Sequence, residues 1–222
     1  MSTSCVYRTV SNPVFLPLVD ILRCTRPHAD TWLVASIDRA EGRYIVDGTL
    51  GCPTCLAEYP VRNGIVFFSA ARPWAAHMRP HETSALRVAA ALDLTDARMT
   101  AVLHGSWGMQ AHLIVGVSPS QLLLLNPPDD VVLGDGVSGI VSDVVPLSAG
   151  SVSAAAIDAP IMPTLLESLR RSLRAGGRLL GPTVLTVPDG FTELARDDDV
   201  WVARLDAAIT ESAPIALTRR GR

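Results

Sequence analysis

Thiol and imidazole side chains in the first quarter of the chain have the types and spacing of a metal site. Cys52 and Cys55 flank a Pro-Thr pair in a tight turn that directs two thiolates at one ion, as in a zinc knuckle. Cys24 and His28 lie about one β-hairpin upstream and can complete the ligand set. We therefore predict a structural zinc site of Cys24, His28, Cys52 and Cys55, with Cys5 as an alternative to His28. The opposing interpretation is that the cysteines are buried apolar side chains and His28 is a surface residue.

The basic residues exclude several reaction classes. All 19 of them are arginine, since the chain contains no lysine. A P-loop needs a lysine on the phosphates, a protein kinase needs its strand lysine, and a pyridoxal enzyme needs an amine for its Schiff base. None of these sites can be built from this sequence.

The size and net charge of the chain further limit the class of protein to which it can belong. The chain has 222 residues and a formal net charge of −3, which fits one ordinary domain plus a small annex. No run of like charge is long enough to follow a phosphate backbone, so the sequence shows no strong sign of direct nucleic-acid binding and argues against non-specific binding by charge. Apolar runs are shorter than the ~20 residues of a membrane helix, and the first residues lack a secretory signal pattern. We therefore expect a soluble, cytoplasmic protein.

Composition divides the sequence near residue 70. Residues 1–69 contain all four cysteines and short β-type runs, with turn signals at Glu41-Gly42, Asp47-Gly48 and Asn63-Gly64. This pattern predicts a small β-rich, zinc-ribbon-like module. Residues 70–82 predict a linker, residues 83–207 alternate between helical and strand segments as in an α/β domain, and residues 208–222 predict a weakly structured tail.

The second unit carries the pattern of repeated strand and helix segments. We expect helices at 84–92 and from residue 164 onward, and strands at 99–103, 122–125, 140–145, 154–157, 178–180, 184–187 and 200–205. Thr164 and Glu167 match a capping box at the start of the second helix. The pair Gly176-Gly177 is predicted to end that helix.

The sequence from about residue 17 to residue 69 resembles the small zinc-binding activator subunit of tRNA, rRNA and protein methyltransferases, and its short bacterial relatives. The resemblance rests on residues 18–24, on residues 47–55 and, most specifically, on Tyr-Pro-Val-Arg-Asn-Gly-Ile at 59–65. That family usually has Cys-Pro-x-Cys at its first knuckle, whereas Pro27 stands here in place of the second cysteine. His28, the next residue, is then the candidate fourth ligand.

The order of elements from about residue 84 to residue 205 resembles the Rossmann-type methyltransferase fold. Residues 169–180 in particular resemble the helix, double glycine and strand found late in that fold. The resemblance implies that S-adenosylmethionine lies over the loop after the first strand and that a residue ending the second strand holds its ribose. The candidate cofactor-binding residues at those positions are Gly105, Trp107, Gly108 and Asn126.

Two of these positions depart from the methyltransferase pattern. Bulky Trp107 stands between the two glycines, and the second strand ends in Asn126 instead of an acidic residue. A neutral amide is a weaker acceptor than a carboxylate. We interpret Trp107 as filling the space of the cofactor; the alternative is that its ring stacks on adenine.

These departures favour a zinc-binding, methyltransferase-like pseudoenzyme that acts as a binding, regulatory or scaffold subunit, with a protein partner or a larger complex. We assign no catalytic residue, and Trp74, Trp107 and Trp201 are candidates for buried contacts or interface anchors. The alternative is an active S-adenosylmethionine-dependent methyltransferase with an atypical first motif. A different nucleotide-binding Rossmann domain is disfavoured because the loop lacks G-x-G-x-x-G.

Overall fold

The computed structural model describes residues 14–70, 83–128, 131 and 133–206. The strands in these ranges are β1 (Val14–Phe15), β2 (Val34–Glu41), β3 (Tyr44–Gly51), β4 (Glu58–Arg62), β5 (Ile65–Phe67), β6 (Thr100–His104), β7 (Gln121–Leu125), β8 (Val137–Val141), β9 (Val152–Ala156), β10 (Leu173–Pro182), β11 (Phe191–Arg196) and β12 (Val200–Leu205). The α helices are α1 (Ala85–Ala91), α2 (Ala111–Val115) and α3 (Pro163–Ser172), and Leu16–Ile21 and Gly105–Gln110 form 3₁₀ helices.

The second unit is built on a parallel sheet. Its strands lie in the order β8-β7-β6-β9-β10, all parallel, and β12 and β11 then add antiparallel strands at the edge. The continuous apolar run Leu122–Leu125 is buried over its whole length, as expected for a parallel strand covered on both faces. The predicted α/β class is confirmed: the parallel order of these strands is Rossmann-type, and a β-rich module precedes it.

The N-terminal strands continue the same sheet. β5 pairs in parallel with β8, and β4, β3 and β2 extend the sheet outward from β5 by antiparallel pairing. The module and the second unit are therefore joined by main-chain hydrogen bonds. The predicted boundaries of the two units stay a prediction, and Cys5, Trp74, residues 71–82 and residues 207–222 lie outside the described residues.

Two apolar clusters cover the two faces of the parallel sheet. One face packs against α1 and α2 through residues such as Val88, Ile114 and Trp107. The other face packs against the first 3₁₀ helix and α3, through residues such as Leu18 and Leu169. Alternate residues of each parallel strand point to opposite faces, so one strand contributes to both clusters.

The predicted start and end of the long helix are wrong. α3 begins at Pro163 with Met162 as its N-cap, so the residue at 164 is already helical and no capping box forms. Proline suits the first helical position because its missing N–H would have no intrahelical partner there. The two glycines lie inside β10, where Gly176 has φ +73° and the register with β9 shifts between Leu173 and Arg178.

One of the predicted turns forms and another does not. Asn63 and Gly64 both adopt positive φ in the tight β4–β5 hairpin, as predicted. The pair Asp47-Gly48, however, lies within β3, where glycine is needed because a Cβ would collide with the carbonyl oxygen of Ser36. Residues 184–187, predicted as a strand, do not form one. The next strand is β11, which begins at Phe191.

Within the described ranges, no helix is long and apolar enough to cross a membrane.

Candidate functional site

The four predicted metal ligands come together in the N-terminal module. Cys24 follows the first 3₁₀ helix, His28 lies in the turn after it, and Cys52 and Cys55 occupy the turn between β3 and β4. Their ligand atoms all lie within 4.8 Å of one another. The β3–β4 pairing, which includes Gly51 opposite Glu58, fixes the ends of the second turn and so the spacing of its two thiols.

The distances fit a tetrahedral zinc ion. Bond lengths of ~2.3 Å to sulfur and ~2.0–2.1 Å to nitrogen place two sulfur ligands about 3.8 Å apart and a sulfur and a nitrogen about 3.6 Å apart. Cys24 Sγ and Cys55 Sγ are separated by 3.7 Å. His28 Nε2 lies 3.1 Å from Cys24 Sγ and 3.4 Å from Cys52 Sγ.

The histidine ring is oriented for this role. His28 Nδ1 lies 2.7 Å from the carbonyl oxygen of Ala29, which can only accept, so Nδ1 carries the proton. Nε2 is then unprotonated in the neutral ring and directs its lone pair at the cysteines. Metal-ligating histidines commonly donate their other ring N–H to a backbone carbonyl in this way.

The surroundings stabilise thiolates at two of the three cysteines. Burial raises the pKa of Cys24, but hydrogen bonds from the Tyr59 hydroxyl and the Arg26 N–H outweigh it, and the pKa falls below its ordinary value. Burial likewise raises the pKa of Cys52, which hydrogen bonds from the N–H groups of Cys55 and Thr54 lower overall. Zinc binds thiolates, so these donors favour metal binding. The cluster fits zinc in its donor types, its distances and its hydrogen bonds.

The predicted cofactor loop has a different character. Gly105 follows β6 directly with φ +66°, which turns the chain into the second 3₁₀ helix. The Ser106 N–H donates to Asp158 Oδ2 at 3.0 Å, and the Ser106 hydroxyl donates to the same oxygen. Asp158 is 6% exposed and follows β9, so these bonds hold the loop after β6 against the end of the neighbouring strand.

Trp107 is the most buried large side chain of this loop. Its exposed fraction is 0%, and its ring packs in the apolar cluster on the α1 and α2 face of the sheet. The indole Nε1–H donates to the carbonyl oxygen of Ile157 at 2.9 Å. Both the ring faces and the polar edge are therefore used within the protein.

Asn126 makes a second internal connection, between the ends of β7 and β8. Its side-chain amide donates to the carbonyl oxygen of Ser142 and its side-chain oxygen accepts the Ser142 N–H, each at 2.9 Å. Asn126 also adopts φ +53°, a conformation that asparagine tolerates better than most residues. Gly108, the other predicted cofactor residue, is buried over the Leu124 side chain. The cofactor-binding assignment of these residues stays a prediction.

A buried histidine lies beside this loop. His104, the last residue of β6, accepts the Asp158 N–H at Nδ1 over 3.3 Å. Burial lowers the pKa of His104 to about 4, and the attraction of the nearby Asp158 carboxylate offsets only part of that effect. The imidazole is therefore neutral at neutral pH.

A surface cleft lies at the opposite ends of the parallel strands. It has a volume of about 620 Å³ and includes Phe15, Arg43, Tyr44, Gln121 and Asp135 in its lining. Gln121 begins β7, so this cleft opens at the amino end of the sheet. The cofactor loop lies at the carboxyl end.

Four residues of these two regions had no role in the sequence-based prediction: Tyr59, His104, Ser106 and Asp158. Tyr59 belongs to the motif at 59–65, but its hydroxyl contact with Cys24 spans 35 positions. Asp158 follows a predicted strand, which marks it as a strand-end residue, yet its partner is 52 positions away. Only the fold brings such pairs together.

Comparisons with known proteins find similarity only among solved structures, and at low levels. No protein-family model matches the chain, and no curated protein matches it significantly. An RNA methyltransferase from Salinibacter ruber in complex with S-adenosyl-L-homocysteine shares 14% identity over 61% of this chain and 98% of its own, with a TM-score of 0.43. The antibiotic-resistance methyltransferase Kmr shares 13% identity over 57% of this chain and 95% of its own, with a TM-score of 0.38.

A third similar structure is matched over a smaller share of its length. Geranyl diphosphate methyltransferase in complex with SAM shares 17% identity over 44% of this chain, with a TM-score of 0.38, and the match spans 46% of that enzyme. The chain thus matches less than half the length of this enzyme. Similarity at these levels does not assign an activity to the chain.

Proposed function

We propose that this protein is a zinc-containing, methyltransferase-like subunit that acts by binding and not by methyl transfer. The zinc ion, held by Cys24, His28, Cys52 and Cys55, stabilises the N-terminal module as a structural metal. The module in turn pairs with β8 and completes the sheet. The protein binds a protein partner through its surface and so acts as a regulatory or scaffold subunit.

The observation that carries the proposal is the closed loop after β6. In the methyltransferases that the sequence resembles, this loop must leave backbone open to the methionine portion of the cofactor. Here the Ser106 N–H is engaged by a buried carboxylate, and the Trp107 ring is wholly buried in the apolar cluster of the α1 and α2 face. A bond to a charged acceptor is worth ~1.5–3 kcal/mol, so a ligand competing for that N–H must displace a strong interaction.

Asn126 supports the same proposal from the second strand. A ribose-binding residue must present an acceptor to the sugar hydroxyls, but the side-chain oxygen of Asn126 accepts a backbone N–H from Ser142. Its amide donates to the carbonyl of the same residue. The side chain is thus used to join two strand ends, which leaves its oxygen poorly placed for a ribose.

Titration of the purified, zinc-analysed protein with S-adenosylmethionine and S-adenosylhomocysteine tests this proposal. We expect no heat of binding up to millimolar ligand, which bounds the affinity at about −4 kcal/mol. Micromolar binding by the wild-type chain contradicts the proposal and favours an active methyltransferase. Folding of each sample is verified by circular dichroism, so that an unfolded sample is not mistaken for a folded protein that does not bind the ligand.

Two variants define what closes the loop. Trp107→Gly removes the ring, and Ser106→Gly removes the hydroxyl bond to Asp158 but keeps the backbone N–H bond to it. Cofactor binding gained by Trp107→Gly identifies the ring as the plug. If the wild type binds and Trp107→Gly does not, the ring is a stacking platform and the proposal is wrong. Trp32→Gly, at a 65% exposed tryptophan of the N-terminal module, serves as the matched control.

A further inference from the structure

Tyr59 lies between the metal cluster and the junction of the two units. It belongs to β4 and is 4% exposed. Its hydroxyl oxygen accepts the Thr25 N–H at 3.3 Å and lies 3.1 Å from Cys24 Sγ. The hydroxyl proton is then directed either at that sulfur or at Thr25 Oγ1, which is 3.2 Å away.

Metal binding decides between these two acceptors. A ligating cysteine is a thiolate, and a hydrogen bond to a charged acceptor is stronger than one to a neutral hydroxyl. Zinc at Cys24 therefore directs the Tyr59 proton to sulfur and fixes the phenol ring. Groups that donate to metal ligands in this way commonly raise metal affinity by 10–100-fold.

The aromatic ring of Tyr59 contacts the segment after β5, which leads to the second unit. The Tyr59 ring packs against Phe68, with ring centroids 4.5 Å apart and an interplanar angle of 36°. Phe68 follows β5, and its N–H donates to the carbonyl oxygen of Val141 in β8 at 2.9 Å. One tyrosine thus contacts a metal ligand at its hydroxyl and a junction residue at its ring.

Building on the zinc site of the proposed function, we propose that Tyr59 is a positioning residue that couples metal binding at Cys24 to the pairing of β5 with β8. Zinc tightens the junction through Cys24, Tyr59 and Phe68. Because coupling between two equilibria is reciprocal, an intact junction also strengthens zinc binding. The metal then regulates how firmly the module is held on the methyltransferase-like sheet.

Zinc affinity of the full-length Tyr59→Phe variant tests the hydroxyl contact. Phenylalanine keeps the ring on Phe68 and removes only the O–H. Competition against a chromophoric chelator is expected to show about tenfold weaker zinc binding than in the wild type. Tyr44→Phe is the matched control, because the Tyr44 hydroxyl accepts the Gly136 N–H at the other end of β3. We expect its zinc affinity to be unchanged.

Amide hydrogen exchange tests the junction itself. Zinc is expected to slow exchange of the Phe68 N–H several-fold in the wild type, and this zinc-dependent protection should shrink in Tyr59→Phe. Phe68→Leu, which changes none of the four metal ligands, should also weaken zinc binding by a factor of a few. This second variant leaves both Tyr59 and the cluster intact.

The outcomes separate the coupling from the metal site. If Tyr59→Phe binds zinc within twofold of the wild type and protection at Phe68 does not depend on zinc, the coupling is wrong and the zinc site stands. If the wild type itself binds no zinc, both the coupling and the metal part of the proposed function are wrong. Weaker binding in both Tyr59→Phe and Phe68→Leu, with Tyr44→Phe unchanged, supports the coupling.

Discussion

The metal cluster and the loop after β6 differ in what their polar atoms face. In the cluster, three sulfurs and one ring nitrogen lie within 4.8 Å of one another, and the Arg26 N–H donates to Cys24 Sγ. In the loop, Ser106 and Trp107 direct their polar atoms at Asp158 and Ile157 of the same chain. Metal-ligating atoms that converge on one point indicate a binding site for an ion. Polar groups that hydrogen-bond to each other within the chain indicate a closed structure.

The largest expected effect comes from breaking the cluster. Cys52→Ser should abolish stoichiometric zinc, and since structural zinc is worth ~10–16 kcal/mol in zinc-finger peptides, the module should lose its cooperative unfolding. Atomic absorption and thermal unfolding measure both effects. Cys5→Ser is the control and should retain one zinc per chain. Loss of zinc in Cys5→Ser, with retention in His28→Ala, would instead identify Cys5 as the fourth ligand.

The loop should respond through packing. Trp107→Ala removes a wholly buried ring and its hydrogen bond to Ile157, so we expect the free energy of unfolding to fall by about 3–5 kcal/mol. Trp32→Ala, at an exposed position, should change it by less than about 0.5 kcal/mol. Denaturant titrations compare the two. Equal effects at the two tryptophans would contradict the closed loop.

Acid should act on the loop region through His104. Its pKa is about 4 in the folded protein and 6.5 in the ordinary state, so the unfolded chain takes up a proton that the folded chain does not. Stability is therefore lost as the pH falls from about 6.5 to about 4, by about 3 kcal/mol at 1.36 kcal/mol per pKa unit.

The difference between wild type and His104→Gln isolates that contribution, because acid also protonates the zinc ligands of both proteins. The unfolding free energy of the wild type should fall relative to that of His104→Gln as the pH falls through this window. Parallel pH profiles for the two proteins would show that His104 is not buried in its neutral form.

The smallest expected effect is at Asn126. Asn126→Gly and Asn126→Ala both remove the two hydrogen bonds to Ser142, but only alanine is strained at φ +53°. Alanine should therefore cost about 1 kcal/mol more than glycine in unfolding free energy. The opposite order would mean that the backbone at Asn126 does not hold this conformation.

The sequence predicted that Cys24, His28, Cys52 and Cys55 lie together, because the pattern that identifies them is local. The Cys-Pro-Thr-Cys turn fixes two ligands by spacing alone, and the other two lie one hairpin away. The class of the fold was equally accessible, since buried parallel strands such as Leu122–Leu125 are continuous apolar runs. The hairpin at Asn63-Gly64 was predictable for the same local reason.

The remaining features depend on contacts distant in sequence. No residue near Ser106 in the sequence indicates its carboxylate partner, Asp158, which follows β9 and is 52 positions away. The pair Asp47-Gly48 has the sequence of a turn but lies in β3. Glycine is needed there because the Ser36 carbonyl of the neighbouring strand approaches it closely. The pairing of β5 with β8, which joins the two units, likewise cannot be read from either segment alone.

Calorimetric titration of the zinc-loaded protein with S-adenosylhomocysteine is the decisive experiment, because a closed loop after β6 must exclude the cofactor and its product alike. We expect one bound zinc per chain and no heat of binding up to millimolar ligand. Saturable binding of one equivalent at micromolar concentration by the wild-type chain would show that the loop is open to the cofactor.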